Sequence, residues 1–497
     1  LFPSIDAGQI RLHVRGPTGL RIEETANLCD RVEQVIRGVI PPRDLHTVLD
    51  NIGVPYSGIN LTYSTSGVIG TADAEILISL NPEHRPSVEY IRLLRQRLPK
   101  EFPGTQFFFQ PADIVGQILN FGLPSPIDVQ IIGADMQENF KIANRMVERI
   151  RQIPGAADVH VQQALNEPIV FVDVDRTKAQ EMGFTQANVA SDTLVGLATS
   201  FQTAPSFWLS PQGVNYSVVT QTPQYNMDTL DNLRNIAMVN TRLPQPEILA
   251  NLARIRRGET SAIVTHYDVQ RVIDIYATTE GRRDLGGVAA GVDRVMNEFR
   301  KQLPRGSFMV MRGQVETMRS SFTGLELGIL FAVLLVYLLM VVNFQSWLDP
   351  FIIITALPGA LAGIVWMLFV TQTTINVPSL MGAIMCIGVA TSNSILLVTF
   401  ATGELREGKS SVNAALAGGF TRLRPVIMTA LAMMIGMLPM ALGMGEGGEQ
   451  NAPLGRAVIG GLLIATVATL FFVPVIFSIL RRKGYREPMS EQVELES

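Results

Sequence analysis

The sequence predicts an α+β region over residues 1 to about 320, followed by an all-α bundle of five membrane-spanning helices. Two observations carry this. Most of the charged residues precede residue 320, whereas they are sparse from Leu327 to Leu480. Within the charged part, period-2 and period-3.6 apolar patterns alternate in an order that repeats. Across all 497 residues, 47% are apolar and the net charge is only −4. A near-neutral balance argues against a nucleic-acid surface.

Taken in order, alternating apolar residues predict strands at 9–15, 73–80 and 105–110, with a weaker one near 45–50. Helical periodicity marks 21–38 and 86–98. The resulting order, β-α-β-β-α-β, is that of a split βαβ module. A second copy begins with a strand at 127–132, a helix at 137–152 and strands at 157–163 and 168–174. Its closing helix and strand are expected at 285–303 and 306–314. The stretch from about 176 to 262 reads as an insertion within that copy.

Five apolar runs then follow, at 327–344, 351–370, 379–401, 425–443 and 457–480. Each is close to the ~20 residues needed to cross the hydrocarbon core. Pro358, Pro439 and Pro474 interrupt them, as membrane helices tolerate, and Gly359 with Gly363 forms a small-xxx-small pair suited to close helix approach. Arg406, Lys409, Arg422 and Arg424 are read as one loop over 402–424, and Arg481, Arg482, Lys483 and Arg486 as the tail. The 371–378 and 444–456 connections hold only Arg456 between them. Positive loops stay in the cytoplasm, which predicts a cytoplasmic C-terminus and an external N-terminal region. The chain opens on Leu1-Phe2-Pro3 with no secretory signal. An external region feeding an odd number of spans predicts a longer protein with at least one earlier helix.

Motifs for catalysis are missing from the sequence. His13, His46, His84, His160 and His266 are scattered, so no metal site is expected. No Walker A, G-x-S-x-G or dinucleotide-binding pattern falls in a strand-turn-helix context. Cys29 and Cys386 do not suggest a disulfide framework. Phe107, Phe108 and Phe109 are consecutive on a strand whose alternate residues must face opposite ways. Either a neighbouring module covers the second face, or Phe107, Phe109 and nearby Phe121 line an apolar cleft for greasy ligands. The spans hold no ionisable residue. Their polar cluster is Thr391-Ser392-Asn393-Ser394, which reads equally as interhelical adhesion or as an ion path.

Certain motifs resemble the resistance-nodulation-division efflux permeases, nearest the hydrophobe/amphiphile branch. These are Phe2-Pro3-x-x-Asp6-x-Gly8, Asn343-Phe344-Gln345-Ser346-Trp347, Arg422-Leu423-Arg424-Pro425 with Met428-Thr429, and Gln450-Asn451-Ala452. The resemblance runs along essentially the whole chain and corresponds to the C-terminal half of such a permease. It implies ferredoxin-like porter subdomains at 1–125 and at 126–165 with 265–315, and a docking subdomain at 166–264. The transmembrane helices would fill 321–482, and 483–497 would be a cytoplasmic tail. It further implies an inner-membrane homotrimer in the bilayer, a secondary active transporter and not an enzyme. That trimer would work without a cofactor, alongside a periplasmic adaptor (membrane fusion) protein and an outer-membrane channel, on small hydrophobic substrates. Arg422 and Thr429 match relay positions of the family. Ser392-Asn393 stands where well-studied members have a Lys-Asn pair, which implies an altered proton relay. The alternatives are a relative that moves lipids or assists secretion, and a non-transporting membrane sensor.

Overall fold

The computed structural model describes residues 3, 6–54, 68–120, 122–240, 246–280, 283–445 and 447–482. Phe2, Phe121 and the tail 483–497 lie outside the described residues.

The first module follows the predicted order: β1 (Gln9–Arg15), α1 (Ile22–Val39), β2 (Leu45–Ile52), β3 (Asp73–Leu80), α2 (Ser87–Glu101) and β4 (Gln106–Gln110). The strands form one antiparallel sheet in the order β2-β3-β1-β4. Alternation turns Leu12 and Val14 of β1, with Ala74 and Ile76 of β3, toward the helices. There they meet Cys29, Val32 and Ile36 of α1, spaced to share one helical face, and Leu94 and Leu98 of α2.

β5 (Ile127–Ile132), α3 (Met136–Ile150) and β6 (Ala156–Val161) open the second module. The strand Gln270–Thr279, the helix Leu285–Phe299 and the strand Phe308–Arg312 complete it. Gln270–Thr279 lies between β5 and β6, and Phe308–Arg312 pairs along the other edge of β5, all antiparallel. Element order and strand order therefore repeat those of the first module.

The segment 168–174 is not part of this sheet, contrary to the sequence reading. It belongs to β7 (Glu167–Val174), which pairs with Ala253–Thr260. Its place is taken by Gln270–Thr279, whose residues from Val272 to Ala277 are all buried. Both segments carry runs of apolar, β-branched and aromatic residues, so local pattern could not choose between them; long-range pairing and burial on both faces do.

Gln163–Val264 is a compact unit by itself. Its core gathers Phe184, Val189, Leu233, Ile236, Leu249 and Leu252. A hairpin of Ser206–Leu209 and Asn215–Val218 leaves Phe207, Trp208, Leu209 and Tyr216 exposed.

Among the described residues five helices are long and apolar enough to cross a membrane: Gln314–Phe344, Leu348–Val370, Val377–Arg406, Ser411–Ala441 and Gly448–Leu480. Several are longer than the apolar runs. The fourth begins at Ser411, capped where Asn413 N donates to Ser410 Oγ at 3.3 Å. Arg422 and Arg424, read from the sequence as loop residues, are therefore helical, as is Arg456 in the fifth helix. Hydropathy marks only what lies in hydrocarbon, whereas a 31-residue helix is about 46 Å long against a core of ~30 Å.

Small residues bring the second, third and fifth spans together. A Cβ on Gly359 would lie 2.9 Å from Ala468 Cβ, and one on Gly461 would lie 2.5 Å from Cys386 Sγ. A Cβ on Gly363 would overlap the Gly460 carbonyl. Gly363→Val is expected to lower the stability of the detergent-solubilised protein by about 1–3 kcal/mol through overpacking, read as a drop in melting temperature. Gly388→Ala, with nothing within 4 Å of the added Cβ, is expected to cause no loss.

Candidate functional site

The relay candidates lie on the third and fourth spans. Arg422 is partly exposed and its guanidinium lies 5.7 Å from the Phe400 ring. Its Nε is buried and finds no acceptor among the described residues. Seven residues, two turns, separate Arg422 from Thr429 on the fourth span and Asn393 from Phe400 on the third. The Thr429 hydroxyl donates to Val426 O of its own helix at 3.0 Å. Asn393 is buried and Ser392 exposed. Thr391 donates to Ile387 O at 2.7 Å, and Ser394 donates to Ala390 O at 2.9 Å while meeting Thr469 Oγ of the fifth span at 3.2 Å. Among the described residues no hydrogen bond joins Arg422, Thr429, Ser392 and Asn393 to one another.

Two polar ties at the ends of the spans escaped the sequence reading. Arg481, at the end of the fifth span, clamps Asp349 with Nη2 at 2.6 Å from both carboxylate oxygens and Nε at 3.1 Å from Oδ1. Both side chains are buried. At the opposite end Arg456 donates to Thr373 Oγ1 at 2.7 Å and to Ala441 O at 3.0 Å.

The cleft candidates behave as the alternation of β4 requires. Phe109 is buried in the core of the first module and Phe107 packs against it. Phe108 points the other way and is sandwiched between His13, at 4.1 Å between ring centroids, and His160 of the second module, at 3.7 Å. A neighbouring module thus covers the second face of the strand.

Around that stack the helix-free faces of the two sheets meet in a polar seam. Arg15 donates to Asp73 through Nε at 3.0 Å and Nη2 at 3.0 Å, and through Nη1 to Gln162 O at 3.1 Å. His13 Nε2 lies 3.2 Å from Asp73 Oδ2, and Arg11 pairs with Glu75. On the second module Gln130 Nε2 donates to Asp128 at 2.9 Å and to Asp274 at 3.1 Å, while its Oε1 accepts from Arg312 Nε at 3.0 Å. Arg95 of α2 grips Asp158 in a bidentate pair, at 3.1 and 2.6 Å.

The seam perturbs its own titrations. Burial pushes His160 down to about 3, helped by the Arg15 charge, and also lowers His13. Burial alone would raise Asp73, but the His13 hydrogen bond and the Arg15 charge outweigh it and hold the carboxyl below its ordinary value. Burial and the neighbouring Asp274 push Asp128 well above the carboxylate range. At neutral pH the arrangement therefore holds neutral imidazoles and an ionised Asp73, while Asp128 keeps its proton to higher pH than an ordinary carboxyl. The seam lacks a nucleophile, and among the described residues no group of three or more His, Cys, Asp or Glu could hold a metal ion.

The match to known proteins covers the seam and the spans alike. A model of the AcrB/AcrD/AcrF family matches residues 1–481. The chain belongs to this family of resistance-nodulation-division permeases. It is 26% identical over 509 residues to the cobalt-zinc-cadmium resistance protein CzcA of Cupriavidus metallidurans, covering 99% of this chain and 46% of that protein. Protein HelA of Legionella pneumophila is 26% identical over 495 residues, covering 97% and 46%. A crystal structure of a heavy metal efflux pump superposes with a TM-score of 0.80 at 25% identity, over 97% of this chain and 47% of that one. The chain spans about half the length of the relatives it matches. The family consists of transporters, and its permease fold joins a sheet-rich region to apolar helices, as here.

The seam gives a stability prediction with a definite sign. Between about 3 and about 6.5 the unfolded chain binds a proton at His160 that the folded one rejects. Stability of the two modules should therefore fall as pH drops through that window, by at most about 1.4 kcal/mol per pH unit for this group. His160→Gln should flatten the slope in pH-dependent denaturation. Asp128 acts with the opposite sign, since the folded state keeps a proton that the unfolded state loses above about 4. Asp128→Asn should therefore gain stability relative to the parent as pH rises toward 7.

Proposed function

We propose that the chain is the C-terminal half of an inner-membrane efflux permease that exports hydrophobic or amphiphilic compounds from the periplasm and outer leaflet. The observation that carries this is the family match along residues 1–481, combined with five membrane-length apolar helices behind two repeated modules. The modules, 1–125 and 126–165 with 265–315, are assigned as ferredoxin-like porter subdomains, and 166–264 as the docking subdomain. The exposed Phe207, Trp208 and Tyr216 of the hairpin supply apolar surface suited to a protein partner. In this reading a homotrimer works with a periplasmic adaptor and an outer-membrane channel, and the C-terminus is cytoplasmic.

Transport is assigned to the proton gradient through an altered relay. Ser392 replaces the family's lysine, so the cation nearest the relay on these spans is Arg422. Its buried Nε finds no acceptor among the described residues and is suited to pair with a carboxylate. Asn393 and Thr429 lie about the same two turns from the Phe400–Arg422 contact on antiparallel helices, which favours their facing the same depth of the membrane.

A second reading, export of divalent metal ions, is favoured by the printed names of CzcA and the heavy metal pump. Proteoliposomes holding the full-length permease distinguish the two. Expected are proton-gradient-dependent movement of an amphiphilic dye, no movement of Zn²⁺ or Cd²⁺, and a loss of at least about tenfold, or ~1.4 kcal/mol, in Arg422→Ala. Dye movement equal with and without the gradient would overturn the proton coupling, and metal transport without dye transport would establish the second reading.

A further inference from the structure

Two membrane helices of this bundle depart from regular α geometry, and they do so side by side. The second span consists of Leu348–Ile354 and Leu357–Val370. The fifth consists of Gly448–Val467 and Val473–Leu480, joined by a π-helical turn at Ala468–Phe472. A proline sits at each irregular turn, although Pro425 and Pro439 lie within the uninterrupted fourth span. Proline lacks the N–H that would bond the carbonyl four residues earlier and clashes with it. Pro358 does this to Ile354, where the first segment ends, and Pro474 does it to Leu470, within the π turn. The Thr355 hydroxyl takes up slack by donating to Ile352 O at 2.5 Å. Gly359 comes against Ala468, and an apolar groove of about 560 Å³ includes Thr355, Pro358, Phe471 and Phe472 in its lining.

The hydrophobic packing divides at the same depth. One core holds Ile352, Ile353, Leu397, Val473 and Phe477; the other holds Ala360, Ile364, Ile387, Val458 and Leu462. The third span, Val377–Arg406, runs unbroken through both. It is pinned to the π turn by the 3.2 Å Ser394–Thr469 contact. Beyond the irregular turns, the Asp349–Arg481 clamp ties the first segment of the second span to the last segment of the fifth.

We propose that Asp349 and Arg481 are positioning residues that fasten these two segments into one lever, which turns about the paired proline sites against the unbroken third span during transport. Packed cores move between discrete arrangements more readily than they deform. The division into two cores with a pinned axis between them is the form such a movement needs. A buried, bidentate ion pair is costly to open, so the two segments move together.

The proposal rests on the transport reading, and the experiment separates the two. The full-length permease in proteoliposomes is first assayed for gradient-driven dye efflux, which tests the transport reading alone. Spin labels at Phe351 and Trp366, exposed positions on either side of the irregular turn, then report its angle as an interlabel distance. The parent should shift its distance distribution when the gradient is imposed. The double variant P358A/P474A should hold one unshifting distance, melt no lower than the parent, and transport at least about tenfold more slowly. R481Q and D349N should shift the resting distribution and slow transport similarly, and the exchange D349R/R481D should restore both readouts. A P358A/P474A variant that transports at the parent rate, or an R481Q variant with unchanged distances, would overturn it.

Discussion

The organisation of the sheet-rich region depends on one constraint: each sheet has helices on only one face, so the other face must be covered by something else. In both modules that something is the other module. β1 sends Leu12 and Val14 to its own helices and Arg11, His13 and Arg15 to the neighbour's sheet. The contact is polar yet buried, and many of its groups bond one another across or along it, while His13 Nδ1, His160 Nε2 and Asp128 Oδ1 find no partner among the described residues. Arg15 spans the seam by bonding both Asp73 and the Gln162 carbonyl, and Phe108 fills the space between two imidazoles whose burial keeps them neutral.

The same economy governs the route into the membrane. The last strand of the second module, Phe308–Arg312, passes through Gly313 directly into the first span. Gly313 adopts φ 87°, and a Cβ there would lie 2.7 Å from Pro126 O, so a side chain is excluded on two grounds. Arg319 on the emerging helix pairs with Asp293 of the module helix. The second module is thereby tied to the first span by a single glycine turn and an ion pair, a short path for relating a movement outside the membrane to one within it.

Within the bundle, polar groups are few and placed at the ends or at helix crossings. Arg456 and Arg481 each reach back to another span, while Thr391 and Ser394 satisfy their hydroxyls on their own helix. Arg422 has a buried nitrogen that no described residue satisfies, as does the Thr402 hydroxyl, but of the two only Arg422 is a cation. That is why it, and not the Thr-Ser-Asn-Ser cluster as a whole, carries the relay proposal.

Periodicity and hydropathy by themselves determined the repeated strand-helix order of the modules and the number of apolar spans, because both are local consequences of which face of an element is apolar. The family was legible from the order of short motifs. Burial of polar faces was not legible. Nothing local in Arg11-x-His13-x-Arg15 or Asp128-x-Gln130 distinguishes a face turned to water from one turned to a second sheet. The third strand of the second module was misplaced for a similar reason, since β7 and Gln270–Thr279 are both strand-like apolar segments and only long-range pairing separates them. Helix ends in the membrane were set by caps and tertiary contacts lying beyond the apolar runs. Asp349 and Arg481, 132 residues apart, become a clamp only when the second and fifth spans fold side by side.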